Sequence, residues 1–223
     1  SPFYDSMVAK LIVHGDTREQ ALARLDAALA QMRIVGLSTN VQFLRHVIGT
    51  ESFAQARLDT ALIQREEAVL FHREPLALPL SVSAVVAHLL NQERAQETHD
   101  PFSRRDGWRA YGDGVRRFSF VRQSEPCDVV LTHLRQGGCL LRVGSQEAVF
   151  DWRQEKPQDE RQEKRQAGDV LVVQWGDQWV RAQVFLHTEG QEEIAHVFTP
   201  QGAARLGVVD VLAHAGDTQQ AGG

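Results

Sequence analysis

The chain has 223 residues, of which 43% are hydrophobic and 24% charged, a balance typical of a globular protein with a buried core. Its formal net charge of -5 argues against nucleic acid or an anionic membrane as the main partner, because both favour basic surfaces. No apolar stretch is long enough to span a membrane, and Cys127 and Cys139 are too few for a disulfide framework, so we expect a cytoplasmic protein.

The beginning of the chain predicts a strand followed by a helix. The short apolar run at residues 7–13 is typical of a buried strand. Asp16 and Glu19 form a capping-box pattern before an amphipathic helix that ends at Gly36. Because an isolated strand leaves its backbone groups unpaired, we expect partner strands upstream of Ser1, in chain that is missing here.

Two further helices are predicted before the composition changes. Thr39 or Asn40 can cap a helix that ends at Gly49, and another is expected over residues 59–67.

A long helix with an unusual pattern is predicted next. Pro75 and Pro79 bracket a linker, and residues 81–97 then form a helix whose apolar positions surround most of its circumference. A helix that is apolar on nearly all sides should be enclosed on nearly all sides.

The chain beyond residue 115 predicts strands. The eight candidates are residues 115–122, 128–136, 139–143, 146–152, 170–175, 179–188, 192–199 and 206–212. Glycine-containing turns join several of them, which indicates antiparallel hairpins. Eight such strands can close into a barrel around the helix, and a half-open sheet wrapped around the helix fits the pattern equally well.

Two segments outside these elements are polar. Residues 153–166 contain no apolar side chain, and their positive and negative charges nearly cancel. We therefore expect this segment to form a solvated hairpin tip, with docking as the lesser alternative. Residues 215–223 have the composition of a linker, which leads us to expect a further domain downstream.

No motif for chemistry emerges from the residues. The nine histidines are scattered, and the sequence has neither a phosphate-binding glycine loop nor a nucleophile elbow. The connection at residues 99–114 is rich in turn-formers and contains Phe102, Trp108, Arg109 and Tyr111. This composition is typical of a contact hot spot, but the aromatic side chains could equally fold back to cover the barrel mouth.

Two ordered patterns near the start resemble a known family. Residues 3–15 (FYDSMVAKLIVHG) and residues 36–40 (GLSTN), followed by Phe43 and Leu44, are similar to the carboxyl-terminal region of biotin carboxylase over about residues 1–71.

The rest of the chain resembles the subunit-joining BT domain of acyl-CoA carboxylase α subunits, which is a long helix surrounded by an antiparallel barrel. Residues 100–102 (DPF) and 106–109 (DGWR) are most similar to the methylcrotonyl-CoA carboxylase branch.

The resemblance implies an α+β fold. Residues 1–73 would be part of the biotin carboxylase C-terminal subdomain, and residues 74–214 would be the BT domain, an eight-stranded antiparallel barrel at 115–212 around the central helix 81–97. Residues 215–223 would lead toward a biotin carrier domain that this chain lacks.

The resemblance also implies a function for the parent subunit. It would use ATP, Mg²⁺ and bicarbonate to carboxylate biotin, which carries the carboxyl group to a carboxyltransferase β subunit. The family's nucleotide and metal sites precede the matched region, and none of Lys10, Lys156 and Lys164 lies between methionines as the biotin acceptor does. The chain alone is therefore expected to have no catalytic, cofactor-binding or metal-binding residue and to be inactive.

In such α subunits the loop after the central helix contacts the β subunit, which implies Phe102, Trp108, Arg109 and Tyr111 as partner-binding residues. Two functions follow. The first is docking to the carboxyltransferase β subunit, alongside the biotin carboxylase and biotin carrier domains. The second is a non-catalytic β-barrel module that binds a small ligand, with the helix as a plug.

Overall fold

A computed structural model of the chain describes residues 7–37, 39–71, 76–100, 103, 112–155 and 170–209. The chain divides into two compact units, Ser1–Arg73 and Glu74–Gly223. Within the described ranges, no helix combines the length and hydropathy needed to cross a membrane.

The first unit is helical in its described part. Its helices are α1 (Arg18–Gln31), α2 (Val41–Gly49), α3 (Glu51–Ala54), α4 (Leu62–Arg65) and α5 (Glu67–Leu70). The predicted second helix is confirmed as α2. The predicted helix over residues 59–67 is instead two single turns, because the backbone at Glu66 has φ −100° and ψ 15°, outside the regular helical range.

The start of α1 corrects the predicted capping box by one position. Thr17, not Asp16, is the N-cap, and its hydroxyl oxygen accepts a hydrogen bond from the backbone N–H of Gln20 at 3.2 Å. The Gln20 side chain in turn accepts from the backbone N–H of Asp16 at 3.2 Å. The threonine–glutamine pair thus takes the place of Asp16 and Glu19, and it satisfies two free backbone donors at the helix start, those of Gln20 and Asp16.

The predicted strand at residues 7–13 is wrong for this chain. The segment lies outside any helix or strand, and Val8 and Ile12 are 77% and 80% exposed. A strand needs a neighbour to accept and donate its ladder hydrogen bonds, and no described residue of the first unit provides one.

The second unit begins with α6 (Leu78–Ala95). The helix starts three residues earlier than predicted because Pro79 lies in its first turn, where the missing backbone N–H is not needed. Pro79 is therefore part of the helix and not of a linker. All eight residues from 81 to 88 are buried, which matches the apolar pattern that surrounds this part of the helix.

Eight strands follow and form a closed antiparallel barrel in chain order. They are β1 (Gly114–Arg122), β2 (Glu125–His133), β3 (Cys139–Val143), β4 (Gln146–Gln154), β5 (Val170–Trp175), β6 (Gln178–Glu189), β7 (Glu192–Thr199) and β8 (Gly202–Val209). The predicted α+β class and eight-stranded barrel are confirmed. The half-open alternative is wrong, because β1 pairs with β8 through residues 119–121 and 207–209.

Helix and barrel share one hydrophobic core. Buried side chains of α6 and of all eight strands belong to the same cluster, and α6 packs against β3, β4, β5, β6 and β7. Among the largest fully buried side chains are Phe120, Phe150 and Leu131, which lie on β1, β4 and β2. The core of this unit is therefore filled by side chains.

The bounds of β2 and β8 differ most from the prediction. β2 begins three residues earlier, at Glu125, because Gln123 and Ser124 form a tight turn that no glycine marks. β8 begins at Gly202 instead of Leu206, through pairing with β7 over residues of low strand propensity. Of the polar segment at 153–166, β4 takes the first two residues, and residues 156–166 lie outside the described part.

Candidate functional site

The four predicted partner-binding residues, Phe102, Trp108, Arg109 and Tyr111, lie outside the described residues. The structure describes where their connection leaves α6 and where it enters β1. These two ends define the candidate site.

The last turn of α6 is attached to β1 by an ion pair. Both guanidinium Nη atoms of Arg116 donate to the two carboxylate oxygens of Glu93, each at 2.5 Å. The Arg116 guanidinium also lies 4.6 Å from the centre of the Phe118 ring. The fork geometry fixes orientation as well as distance, so it holds the helix end at a defined place on the barrel.

A cation–π contact also holds the same turn. The guanidinium of Arg94 lies 4.3 Å from the centre of the Trp152 ring on β4. Trp152 in turn stacks on Phe150 at 5.1 Å with an interplanar angle of 21°. Trp152 is almost fully buried, so the surface under Arg94 is part of the rigid core.

Hydrogen bonds also order the two ends of the connection. The hydroxyl of Ser103 donates to the carbonyl oxygen of Asp100 at 2.7 Å, with the carbonyl oxygen of Thr98 also in reach at 3.1 Å, and it accepts from the backbone N–H of Thr98. At the far end, the carboxylate of Asp113 accepts from the backbone N–H of Arg135 at 2.9 Å. The near end is therefore folded into a turn by bonds among residues 98–103, and the far end is bonded to the β2–β3 turn.

An open cleft lies at this end of α6. Its volume is ≈ 730 Å³, and four of its lining side chains are carboxamides. We call it the amide cleft; its lining is Asn91, Gln92, Arg94, Ala95, Gln96 and Gln154. Gln154 ends β4, and the other five are on the last turns of α6 or at its C-cap. The cleft thus adjoins the point at which the connection to β1 begins.

Neither cysteine has the environment of a nucleophile. The Cys139 thiol lies 3.4 Å from Nδ1 of His133 on the neighbouring strand, but burial raises the pKa of Cys139. Burial likewise raises the pKa of Cys127. Both thiols therefore stay protonated at neutral pH. No cluster of three or more potential metal ligands occurs within the described ranges.

The outer face of the barrel carries a histidine pair. The rings of His187 on β6 and His196 on β7 are 6.4 Å apart. Burial lowers the pKa of His196, and the neighbouring Arg205 and His187 act in the same direction. His196 is therefore held neutral, which suits a side chain packed on a sheet and assigns it no chemistry.

Sequence reasoning missed the residues that fix the end of α6. Glu93 and Arg94 occur in a polar helix terminus, and Arg116 and Trp152 in strands of ordinary composition. Their pairing depends on barrel register, which no local pattern encodes. The only available signal was the change from apolar to charged residues at the end of α6.

Comparison with known proteins gives two family matches. Residues 77–211, more than half of the chain, match the family model described as "Methylcrotonyl-CoA carboxylase, alpha-subunit, BT domain". Residues 1–65 match the biotin carboxylase C-terminal domain. The two matches together cover nearly all of the chain.

Individual relatives agree with both matches. The chain is 28% identical over 143 residues to a mitochondrial methylcrotonoyl-CoA carboxylase subunit alpha of Dictyostelium discoideum, covering 62% of this chain and 20% of that protein. It is 44% identical over 75 residues to a biotin carboxylase of Halalkalibacterium halodurans, covering 34% of this chain and 17% of that protein. It is 37% identical over 75 residues to human mitochondrial pyruvate carboxylase, covering 34% of this chain and 6% of that protein. The chain spans a fifth or less of the length of each of these relatives.

Proposed function

This chain belongs to the BT-domain family of methylcrotonyl-CoA carboxylase α subunits, among the biotin-dependent carboxylases, and we propose that it joins an α subunit to a carboxyltransferase β subunit. In the parent subunit, ATP, Mg²⁺ and bicarbonate would serve to carboxylate biotin, and the β subunit would transfer the carboxyl group to an acyl-CoA. Residues 1–73 would complete the biotin carboxylase domain, residues 74–214 would be the joining domain, and residues 215–223 would lead to a biotin carrier domain.

The observation that carries this proposal is the way the second unit holds the end of α6. The Glu93–Arg116 ion pair and the Arg94–Trp152 contact attach this end to two different strands. A connection that starts from a fixed point loses less conformational entropy when a partner binds it, and this makes it suitable for docking.

The aromatic connection is the proposed contact. Phe102, Trp108, Arg109 and Tyr111 are of the residue types that dominate binding energy at protein interfaces. Within the proposal they insert into the β subunit, and the barrel serves as their scaffold.

The alternative of a small-ligand barrel has less support. Buried side chains of α6 and of all eight strands fill one common core, and an eight-stranded barrel has little interior room beyond its side chains. No observation in the described part favours a ligand inside it.

The proposed location is cytoplasmic. Cys127 and Cys139 are both free thiols, as expected in a reducing compartment. The names of the Dictyostelium and human relatives include the word mitochondrial, which gives the location of those two proteins.

The test is the association of the 223-residue chain with a purified methylcrotonyl-CoA carboxylase β subunit. We expect binding, and we expect Trp108→Ala to raise the Kd at least tenfold, because a large aromatic anchor is lost. The melting temperature should change by no more than a few degrees.

The matched control is Trp179→Ala, because Trp179 lies on β6 and is 48% exposed. This variant should bind the β subunit like the unchanged chain. A Trp108→Ala variant that loses stability and binding in equal measure would instead place Trp108 as a lid over the barrel.

A further inference from the structure

The outer face of the barrel carries a largely apolar row of side chains that crosses four strands. Residues paired directly across neighbouring strands form this row, and from β1 to β4 they are Val115, Thr132, Leu140 and Val149. Their chain neighbours Leu131, Leu141 and Phe150 are fully buried in the core, so alternation along each strand turns the row outward. At one strand spacing per step, the row is about 14 Å long.

The row includes two of the three large apolar side chains that the described part of the second unit exposes. Val115 and Val149, at its two ends, are 48% and 52% exposed. The third is Trp179 on β6, and the guanidinium of Arg153 lies over its ring at 5.6 Å. Single exposed apolar residues are ordinary, whereas a continuous exposed row is typical of a surface that binds another protein.

Two arginines lie beside the apolar row. Arg117 on β1 and Arg142 on β3 are in the adjacent row, and each is paired with Val130 between them. Both arginines are exposed, and among the described residues neither guanidinium forms an ion pair, a hydrogen bond or a ring contact, even though Glu147 is opposite Arg142 on β4. We call the two rows together the outer patch. It combines apolar side chains with two guanidinium groups and one carboxylate.

We propose that the outer patch is a second contact surface for the carboxyltransferase β subunit and receives an apolar segment of that subunit flanked by carboxylates. This inference rests on the proposed function, since it takes the same partner. Burial of the apolar row supplies binding energy, and charge-assisted hydrogen bonds to Arg117 and Arg142 fix the orientation of the segment. Because these guanidinium groups have no partner among the described residues, such bonds form without breaking others.

The position of the outer patch supports this choice of partner. Val115 is two residues beyond Asp113, which lies at the end of the proposed docking connection and is bonded to the β2–β3 turn through the backbone N–H of Arg135. A β subunit that binds the connection is therefore held next to the patch. A second copy of this chain fits less well, because a symmetric contact places the surplus positive charge of Arg117 and Arg142 on both sides of the interface.

The test removes both guanidinium groups from the 223-residue chain, with Arg117→Ala and Arg142→Ala combined, and measures the Kd for the purified β subunit. We expect the Kd to rise at least tenfold with the melting temperature preserved, since neither group bonds to a described residue. The matched control combines Arg181→Ala and Arg205→Ala on β6 and β8. It changes the net charge equally and removes only exposed ion pairs, so the fold and the Kd should be unchanged.

A second variant tests the apolar row separately. Val115→Thr combined with Val149→Thr keeps branched side chains of high strand propensity and replaces one methyl by a hydroxyl at each end of the row. We expect the Kd to rise at least threefold. Salt provides a further readout, because raising its concentration to about 0.5 M should weaken binding of the unchanged chain more than binding of the arginine double variant.

The outcomes separate this inference from the function on which it rests. If the unchanged chain binds the β subunit but the arginine double variant binds as tightly as its control, the outer patch is no contact surface and the docking function stands. If the unchanged chain does not bind, the docking function fails and this inference fails with it. An affinity lost in the arginine variant but kept in the valine variant would contradict the apolar segment. Self-association of the unchanged chain that the arginine variant abolishes would make a second copy the occupant and overturn the inference.

Discussion

Gln123 and Ser124 are the residues of the barrel that adopt the least favourable backbone within the described part. Their φ angles are +51° and +69°, so both occupy the left-handed region that L side chains disfavour. Arg122 and Glu125 pair directly across them, which makes this a two-residue hairpin turn with positive φ at both positions. The right-handed twist of the flanking strands selects this turn over the unstrained alternatives, and the sequence supplies no glycine for it.

Replacing Ser124 by glycine should therefore stabilise the second unit. We expect Ser124→Gly to raise the free energy of unfolding by about 1 kcal/mol, because glycine adopts positive φ without a steric penalty. For a chain of this size that corresponds to a melting temperature about 2–4 °C higher.

The same substitution at Ser145 is the matched control for this prediction. Ser145 is the second residue of the β3–β4 turn, in which only Gly144 has positive φ, at +58°. Ser145→Gly relieves no backbone strain there, and it adds conformational freedom to the unfolded chain. It should therefore leave the stability unchanged or lower it. Equal stabilisation by both variants would contradict the strain at Ser124.

At the scale of elements, α6 is the helix on which the second unit is built. Successive residues of an α-helix are 100° apart, so Ala84 and Val86 face nearly opposite sides. Both are buried, at 1% and 0% exposure. A helix on the surface of a barrel would leave one of these two sides exposed to water. At Ala84 and Val86, neither side of α6 is exposed.

Substitutions on opposite sides of α6 should consequently both be destabilising. We expect Val86→Ala to lower the free energy of unfolding by about 1–3 kcal/mol through a cavity. Ala84→Leu should lower it by a similar amount, because the surrounding core is already filled. Chemical denaturation of the two variants measures both effects.

Ala95→Leu provides the control within the same helix, since Ala95 is exposed. Its effect should stay within about 0.5 kcal/mol, as for other surface substitutions. If Ala84→Leu were tolerated as well as Ala95→Leu, the packing around α6 would be looser than the structure shows.

The elements also differ in how far the sequence could predict them. The bounds of β3, β5 and β7 are predicted to the residue, because glycine turns or alternation mark them clearly. The start of β2 is missed at Gln123 and Ser124, where tertiary pairing overrides local preference. Residues 7–13 have the composition of a strand, but a strand forms only where another segment completes its hydrogen bonds.

The candidate site was less predictable than the fold. Aromatic composition pointed to the connection after α6, and Trp108 still stands as a prediction. The residues that fix the end of that helix, Glu93 with Arg116 and Arg94 with Trp152, are separated by 23 and 58 positions along the chain. Such long-range pairs follow only from strand order and register, which a single sequence does not specify.

At the scale of the whole molecule, the two units differ in how well they bury apolar side chains. The first unit exposes many of its large apolar side chains, and Val8 and Ile12 are extreme cases. The second unit has a closed sheet and a continuous core. We therefore regard the second unit as the more stable of the two.

Hydrogen exchange should show this difference directly. We expect the amides of residues 7–13 to exchange fastest among the described residues, since they lie in no helix or strand ladder. Amides in the paired centres of β2 and β6 should exchange slowest. Mass spectrometry of peptides from the exchanged chain provides the measurement, and comparable protection of residues 7–13 and β2 would contradict the expectation.

The order of the strands has a consequence for how the chain reaches its native form during synthesis. Every strand pairs with the next one along the chain, and among the strand pairings of the described part only that of residues 119–121 with 207–209 joins strands far apart in sequence. Seven hairpin contacts can therefore form one after another as the polypeptide leaves the ribosome. Closure has to wait for the eighth strand, and until then the first strand keeps an open edge that another nascent chain could pair with.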